Sequence, residues 1–217
     1  MSDGVLLQLL HGVRDRAELP GRVAAFRREA GAALAGETEL FAGDAIEKGQ
    51  TGPDRRVDWS GNPLYLAVTP LAGVADASGN ATLARAQEKL AGGAQRQESW
   101  FTRQTFEKRG DKATPAPHGD WLQIVMMNVE PSVEEEFNDW YEQEHVARIA
   151  AVAPEFVSVR RLLALAGSPR YFALWRLTDR KAPERDPWLS ASETPWTTRI
   201  RRFMRDRRRL LLAPYAG

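Results

Sequence analysis

The sequence predicts an α+β chain made of two tandem βαββαβ units whose antiparallel sheets cover each other. Three observations carry this. An internal repeat pairs "GVLLQLLHGV" (4 to 13) with "DWLQIVMMNV" (120 to 129), and "NPLYLAVTPL" (62 to 71) with "SPRYFALWRL" (168 to 177), at offsets of 116 and 106. The segment "RGDKATPAPHGD" (109 to 120) between them is rich in Gly, Pro and Asp and reads as a linker. The same order of strand-like and helix-like patterns runs on either side of it. A chain of 217 residues then divides into units of about 100 each.

Taken in order, the first unit has a strand at 4 to 13, a helix at 20 to 35, strands at 38 to 47 and 62 to 70, a helix at 80 to 92 and a strand at 98 to 107. In the second, Trp121 to Val129 is an apolar strand, and "PSVEEEF" opens a helix with Pro131 and Ser132 at its start and acids in its first turn, where the helix dipole favours them. "EFVSVRRLLALAG" and "PRYFALWRL" are strands joined by a tight Gly-Ser-Pro turn. "ETPWTTRIRRFMRD" reads as a second helix with apolar positions at Trp196, Ile200, Phe203 and Met204, and "RRLLLAPY" closes as a strand. Each unit is thus a ferredoxin-like motif, with helices on one face of its sheet and the other face bare. Two bare faces in one chain can bury each other.

Composition is that of a globular protein, 43% hydrophobic and 27% charged with a formal net charge of +1, which gives no electrostatic reason to expect nucleic acid or an anionic membrane as partner. Cysteine is absent, which excludes disulfides, thiolate catalysis and Cys-ligated metal centres, and suits a reducing cytoplasm. The apolar run in "MSDGVLLQLLHGVRD" is too short to span a membrane and lacks the flanks of a signal peptide, so the expectation is a soluble, cytoplasmic protein.

The densest motif is "FNDWYEQEHVARIAAVAPEFVSVRR" (137 to 161), followed by "GSPRYFALWRL". A ferredoxin-like unit with F-N-x-W-Y-x-x-E-H on its first helix and a Pro-containing turn before F-x-S-x-R-R resembles the dimeric α+β barrel superfamily, and within it the EthD-like branch. The resemblance covers roughly residues 120 to 215, and the first half matches only in layout and strands. Two positions depart from the pattern: Ala147 stands where Pro is common, and Pro154-Glu155 where Pro-Gly is common. The resemblance implies an intramolecular version of the barrel. For function it implies a range: monooxygenases, isomerases, decarboxylases, haem enzymes and proteins of no known activity share the superfamily.

Aligning Phe26 with Phe137 puts Glu29 opposite Trp140 and Leu34 opposite His145, so the first-half helix lacks the motif. One half then keeps a pocket and the other is a structural partner. At about 100° per residue, Val133, Phe137, Trp140, Tyr141, Ala147, Ala151 and Val152 share one arc of the motif helix, with Glu144 and Arg148 near its middle and His145 at its edge. Asp139, Glu142, Gln143 and Glu135 point away. Glu144 and Arg148, four apart, either pair with each other near the rim or line a cavity, with Glu144 as base or acceptor and Arg148 holding an anionic group. His145 suits proton transfer near neutral pH, or is a helix-edge histidine bonded to a backbone carbonyl, or a haem ligand.

Trp121, Trp175, Tyr171 and Tyr65 alternate on strands and either line an aromatic pocket or fill the core. His11 aligns with Met127 and is expected on the same side of its sheet as Trp121, Gln123 and Val125. His11, His118 and His145 show no metal-ligand spacing. "RIRRFMRDRRR" (199 to 209) invites RNA binding, but without the aromatic strand motif of RNA-binding units it reads as a solvated basic helix face.

The expectation is therefore a cofactor-independent enzyme acting on a small hydrophobic, aromatic or carbonyl-bearing molecule by acid–base chemistry. Glu144, His145 and Arg148 are its candidate catalytic groups, and Phe137, Trp140, Tyr141, Trp121 and Trp175 its candidate binding surface. The alternative is a non-catalytic barrel that holds a small ligand or haem. No metal, nucleic acid or membrane partner is expected, and the chain is expected as a pseudo-dimeric monomer or a homodimer.

Overall fold

The computed structural model describes residues 4–43, 64–73, 80–111 and 120–215. Eight strands close into one antiparallel barrel: β1 (Gly4–His11), β2 (Glu39–Gly43), β3 (Leu64–Leu71), β4 (Arg96–Arg109), β5 (Trp121–Val129), β6 (Phe156–Ala164), β7 (Tyr171–Leu177) and β8 (Met204–Pro214). Their order round the barrel is β1-β3-β2-β8-β5-β7-β6-β4, so β2–β8 and β4–β6 are the seams between the halves. Closure leaves no unpaired edge. Most of the expected linker, with His118, lies outside the described residues, as do 44–63, which hold the end of the strand expected at 38 to 47 and the start of the one expected at 62 to 70.

Helices α1 (Leu19–Ala30) and α2 (Ala81–Ala91) cover the first half. The second is covered by α3 (Glu134–Asp139), a π turn (Trp140–His145), α4 (Val146–Val152), α5 (Asp186–Ser192) and α6 (Pro195–Arg201). Local chemistry sets several of these ends. Asn80 caps α2 by accepting from the backbone N–H groups of Thr82 and Leu83 at 2.9 and 3.2 Å. Thr194 caps α6 by accepting from Thr197 N–H at 2.9 Å, with Pro195 in the first turn. Glu134, Glu135 and Glu136 crowd the start of α3. Gly110 ends β4 so close to β6 that a Cβ would lie 2.4 Å from the Phe156 carbonyl oxygen, which leaves room for no other residue.

Strand alternation sorts the apolar residues into a lumen core and two outer cores. Val5, Leu7, Leu9, Leu122, Ile124 and Met126 are in the lumen; Leu6 and Leu10 meet α1 and α2, while Val125 and Met127 meet the second-half helices. The offset of 116 in the sequence repeat is therefore one residue out of register, since it sets lumen residue Leu9 against outward-facing Val125. A one-residue slip exchanges the faces of a strand. His11 accordingly follows Leu9 on the lumen side, not the side of Gln123 and Val125.

At that end of the lumen, Glu98 of β4 is 3.1 Å from His11 of β1, 3.1 Å from the Arg208 guanidinium of β8 and 3.4 Å from Arg96. β4 and β8 stand on opposite walls, so the Glu98–Arg208 pair crosses the barrel. Burial raises the Glu98 pKa, but the bonds from His11 and Arg208 and the nearby guanidinium charges outweigh it and bring the carboxyl down to about 2. Glu98→Gln is expected to cost about 1.5–3 kcal/mol at pH 7, the worth of hydrogen bonds to a charged group, read from urea midpoints. An unchanged midpoint would show that the tie contributes nothing.

The basic run is the main departure in secondary structure. The helix expected to reach residue 206 ends at Arg201, and strand β8 begins at Met204, paired along β5. Phe203 and Met204 are therefore not helix core. Among the described residues no helix is long and apolar enough to cross a membrane.

Candidate functional site

The stretch "WYEQEH" forms the π turn, in which the Val146 N–H donates to the Tyr141 carbonyl five residues back. The wider turn admits one extra residue and rotates everything after it. Buried positions run Phe137, Trp140, Tyr141, then Val146, Ile149 and Ala153, whereas Ala147, Arg148, Ala151 and Val152 face solvent. A wheel of constant pitch places Glu144 and Arg148 at the centre of the inward face; the π turn moves His145 inward instead.

His145 is caged by three aromatic rings. It stacks on Trp140 at 4.5 Å between centroids with planes 28° apart, and Tyr141 and Trp175 meet it near-perpendicularly at 5.2 and 5.8 Å. Its Nδ1 is buried without a hydrogen-bond partner. Burial pushes its pKa down, helped by the positive charges of Arg207, Arg201, Arg209 and Arg161, to about 3. The ring is therefore neutral across the physiological range and keeps a lone pair free.

Glu144 serves the cage from behind. Thr194 donates to its carboxylate at 2.6 Å, the Thr194 and Thr197 hydroxyls lie 3.0 Å apart, and Trp140 Nε1 donates to Thr197 Oγ1 at 3.1 Å. With the Thr194 proton given to Glu144, Thr197 must donate to Thr194, so the chain has one direction: Trp140 to Thr197 to Thr194 to Glu144. It fixes the indole on which His145 stacks. Arg148 is exposed and donates to the Ala191 carbonyl at 3.2 Å, tying α4 to α5 rather than pairing with Glu144.

Phe137 lies one ring deeper, in edge contact with Tyr141 and Tyr171 at 5.7 and 5.0 Å. Beneath it Arg161 of β6 binds Glu142 at 2.8 Å and Asn138 at 2.7 Å, with its guanidinium 4.5 Å from the Tyr141 ring centre. Glu142 is thus engaged with the sheet rather than pointing away. Trp121 sits at the edge of this core under Arg180, and Tyr65 belongs to the core of the first half.

A cavity opens beside His145 between the π turn, α5 and the outer faces of β5, β7 and β8. Trp140, Tyr141, His145 and Trp175 line it; Glu144, Arg148, Phe137 and Trp121 do not. Its other walls come from residues outside the sequence-predicted site: Gln123, Val125 and Met127 of β5, Trp188, Leu189 and Ser192 of α5, and Arg201, Arg207 and Arg209. A signal for α5 was present in the Asp186-Pro187 start, and one for the arginines in their period-two spacing ahead of an apolar run. The cavity offers about 60 Å³ to the centres of water-sized molecules, space for a few waters or a compact ligand. A porphyrin does not fit beside the caged imidazole, so these residues do not suit haem.

No family model matches the sequence, and no curated protein matches it. Similarity appears in the fold. A protein provisionally assigned as a monooxygenase from Fusobacterium nucleatum subsp. nucleatum superposes with a TM-score of 0.61 at 12% identity, over 99% of this chain and 94% of that one. An anthrone oxidase-like protein gives 0.61 at 10% identity, over 100% and 94%. A chlorite dismutase variant from Candidatus Nitrospira defluvii gives 0.52 at 9%, over 98% and 92%. At such identities the likeness is one of fold alone: this chain has the closed eight-stranded antiparallel architecture of dimeric α+β barrel proteins.

Proposed function

We propose that the chain is a cofactor-independent enzyme that moves a proton on a small, apolar, carbonyl-bearing or aromatic molecule, with His145 as the acid–base group. The observation that carries this is the neutral imidazole, caged by aromatics beside a cavity, with an unbonded buried nitrogen. Such a ring takes a proton from carbon next to a carbonyl, leaving an enolate and an imidazolium, and returns it to complete an isomerisation or exchange. No oxidant is needed. An imidazole with so low a pKa is a weak base alone, but the enolate formed beside it compensates the arginine charge that opposes its protonation. Glu144 positions the cage through Thr194 and Thr197, and Arg148 braces α4 on α5.

The resemblance of the motif to the EthD-like branch is in keeping with an enzyme of this fold that acts on a small molecule. In this reading residues 1–110 and 120–217 are tandem ferredoxin-like units, the first a structural partner for the second, working in the cytoplasm as a pseudo-dimeric monomer or its homodimer.

The test is deuterium incorporation from D2O into a panel of aryl ketones and 1,3-dicarbonyl compounds, followed by mass spectrometry. Wild type is expected to catalyse exchange on at least one of them. His145→Gln is expected to lose about 10²–10⁴-fold, the usual contribution of a general acid–base group. Glu144→Gln, which keeps an acceptor for Thr194, is expected to retain most of the rate. Exchange equal in wild type and His145→Gln would end this assignment. Ligand binding without exchange would favour the non-catalytic binding protein.

A further inference from the structure

We infer that the cavity takes an anion, a compact carboxylate or enolate, on the guanidinium of Arg209, with Arg207 beside it on the same wall. The inference rests on reading the cavity as the site and names the chemistry of its ligand.

Strand β8 presents three successive arginines to two different environments. Arg208 pairs in register with the lumen residue Met126 and spends its charge on Glu98 at 3.1 Å. Arg207 and Arg209 fall on the opposite face and line the cavity with His145. Arg209 stands opposite Val125 in the strand pair, and among the described residues no carboxylate lies within ion-pair distance of it. Burial pulls its pKa down, which marks a guanidinium that has given up water without receiving a counterion. A charge in that condition is costly unless something pairs with it.

The third arginine of the wall, Arg201, is already neutralised by Glu193 at 2.7 Å, and both lie on the cavity lining. Among the described residues the charge of this lining without a carboxylate partner is therefore that of Arg209, on β8. Arg148, the anion holder expected from the helix wheel, is exposed and committed to a backbone carbonyl. The rest of the lining is largely aromatic: Trp140 and Tyr141 of the π turn, Trp188 of α5 and Trp175 of β7. A flat group held between aromatic faces, with its charged end on a planar guanidinium, fits this division, and a carboxylate matches the guanidinium fork in bidentate geometry.

The positive charges that hold the His145 pKa down are those of Arg201 from α6, Arg207 and Arg209 from β8 and Arg161 from β6, while Glu193, paired with Arg201, is the carboxylate on the cavity lining. An anion seated on Arg209 offsets part of that field, so binding is expected to raise the basicity of His145. The ligand would then prepare its own base.

Benzoate and its neutral analogue benzamide are the probes, titrated into the full-length protein and followed by calorimetry and by the His145 ring resonances. Benzoate is expected to bind at least tenfold more tightly than benzamide and to move the His145 titration upward. Arg209→Gln is expected to lose at least tenfold in benzoate affinity. Arg205→Gln, whose arginine pairs with Glu130 outside the cavity, serves as the charge control and is expected to bind as wild type does. His145→Gln is expected to bind benzoate still, so that failure of the proton-transfer reading leaves this one standing. Equal binding of the two probes, no binding of benzoate, or undiminished binding by Arg209→Gln would each overturn the assignment.

Discussion

Trp140→Ala is expected to destabilise the protein by about 3–5 kcal/mol, the range for emptying a buried aromatic site. The loss has two parts. The indole is 2% exposed and touches Phe137, Tyr141 and His145, so its removal opens a cavity in the second-half core. It also removes the first donor of the chain that ends on Glu144, leaving Thr197 Oγ1 with its bond to Thr194 alone. A chemical consequence follows, because the stacking face is part of what desolvates His145: in the variant the His145 pKa is expected to rise from about 3 back toward its ordinary value. Urea denaturation gives the first number, and the ring resonances under pH titration give the second. A variant of full stability, or one whose imidazole still resists protonation, would show that the cage is not what holds the ring neutral.

Acid is expected to unfold the protein in two overlapping steps, and His145 accounts for the earlier one. Its pKa is 6.5 in the unfolded reference and about 3 when folded. Between those values the unfolded chain binds a proton that the folded chain refuses. The contribution is thus complete above pH 6.5 and is lost as pH falls toward 3, at up to about 1.4 kcal/mol per pH unit. Glu98 has the same sign lower down, since its pKa falls from 4.5 to about 2 on folding, and its contribution is lost below pH 4.5. Midpoints measured from pH 7.5 to 3.5 are expected to decline from about pH 6.5 in wild type and to stay flat to about pH 4.5 in His145→Gln. Parallel curves would mean that the imidazole is accessible to protons in the folded state.

The architecture was legible in the sequence where periodicity was unambiguous. Trp121 to Val129, Phe156 to Ala164 and Tyr171 to Leu177 form strands close to where their patterns placed them, and the motif helix begins at its acidic first turn. The register of β1 was not legible, because every residue of it is buried. A strand packed on both faces reads as a continuous apolar run and offers no alternation to tell lumen from helix side. In the arginine run, Arg199 to Arg201 stay helical, and the arginines from Arg205 to Arg209 suit a basic helix or an edge strand equally by type; pairing with β5 decides for strand. That choice turns residues expected on a solvated helix face into two walls of different chemistry.

The site was half legible. Of the candidate residues, Trp140, Tyr141, His145 and Trp175 line the cavity, and Glu144, Arg148, Phe137 and Trp121 do not. A helical wheel assumes one pitch, and the π turn breaks that assumption at the six residues where it matters.

By itself, then, the sequence determined the α+β class, the strand order of the second half and a motif helix that carries Phe137, Trp140 and Tyr141 on its inward side. Those depend on local period and on residue type, which a chain carries at every position. Only the tertiary structure decided which face of β1 meets the lumen, that His145 and not Glu144 turns inward, and that Arg207 and Arg209 share its cavity while Arg208 crosses the barrel to Glu98. Each of these depends on pairing between residues far apart in sequence, where one step of register or one extra residue in a turn exchanges the inside for the outside.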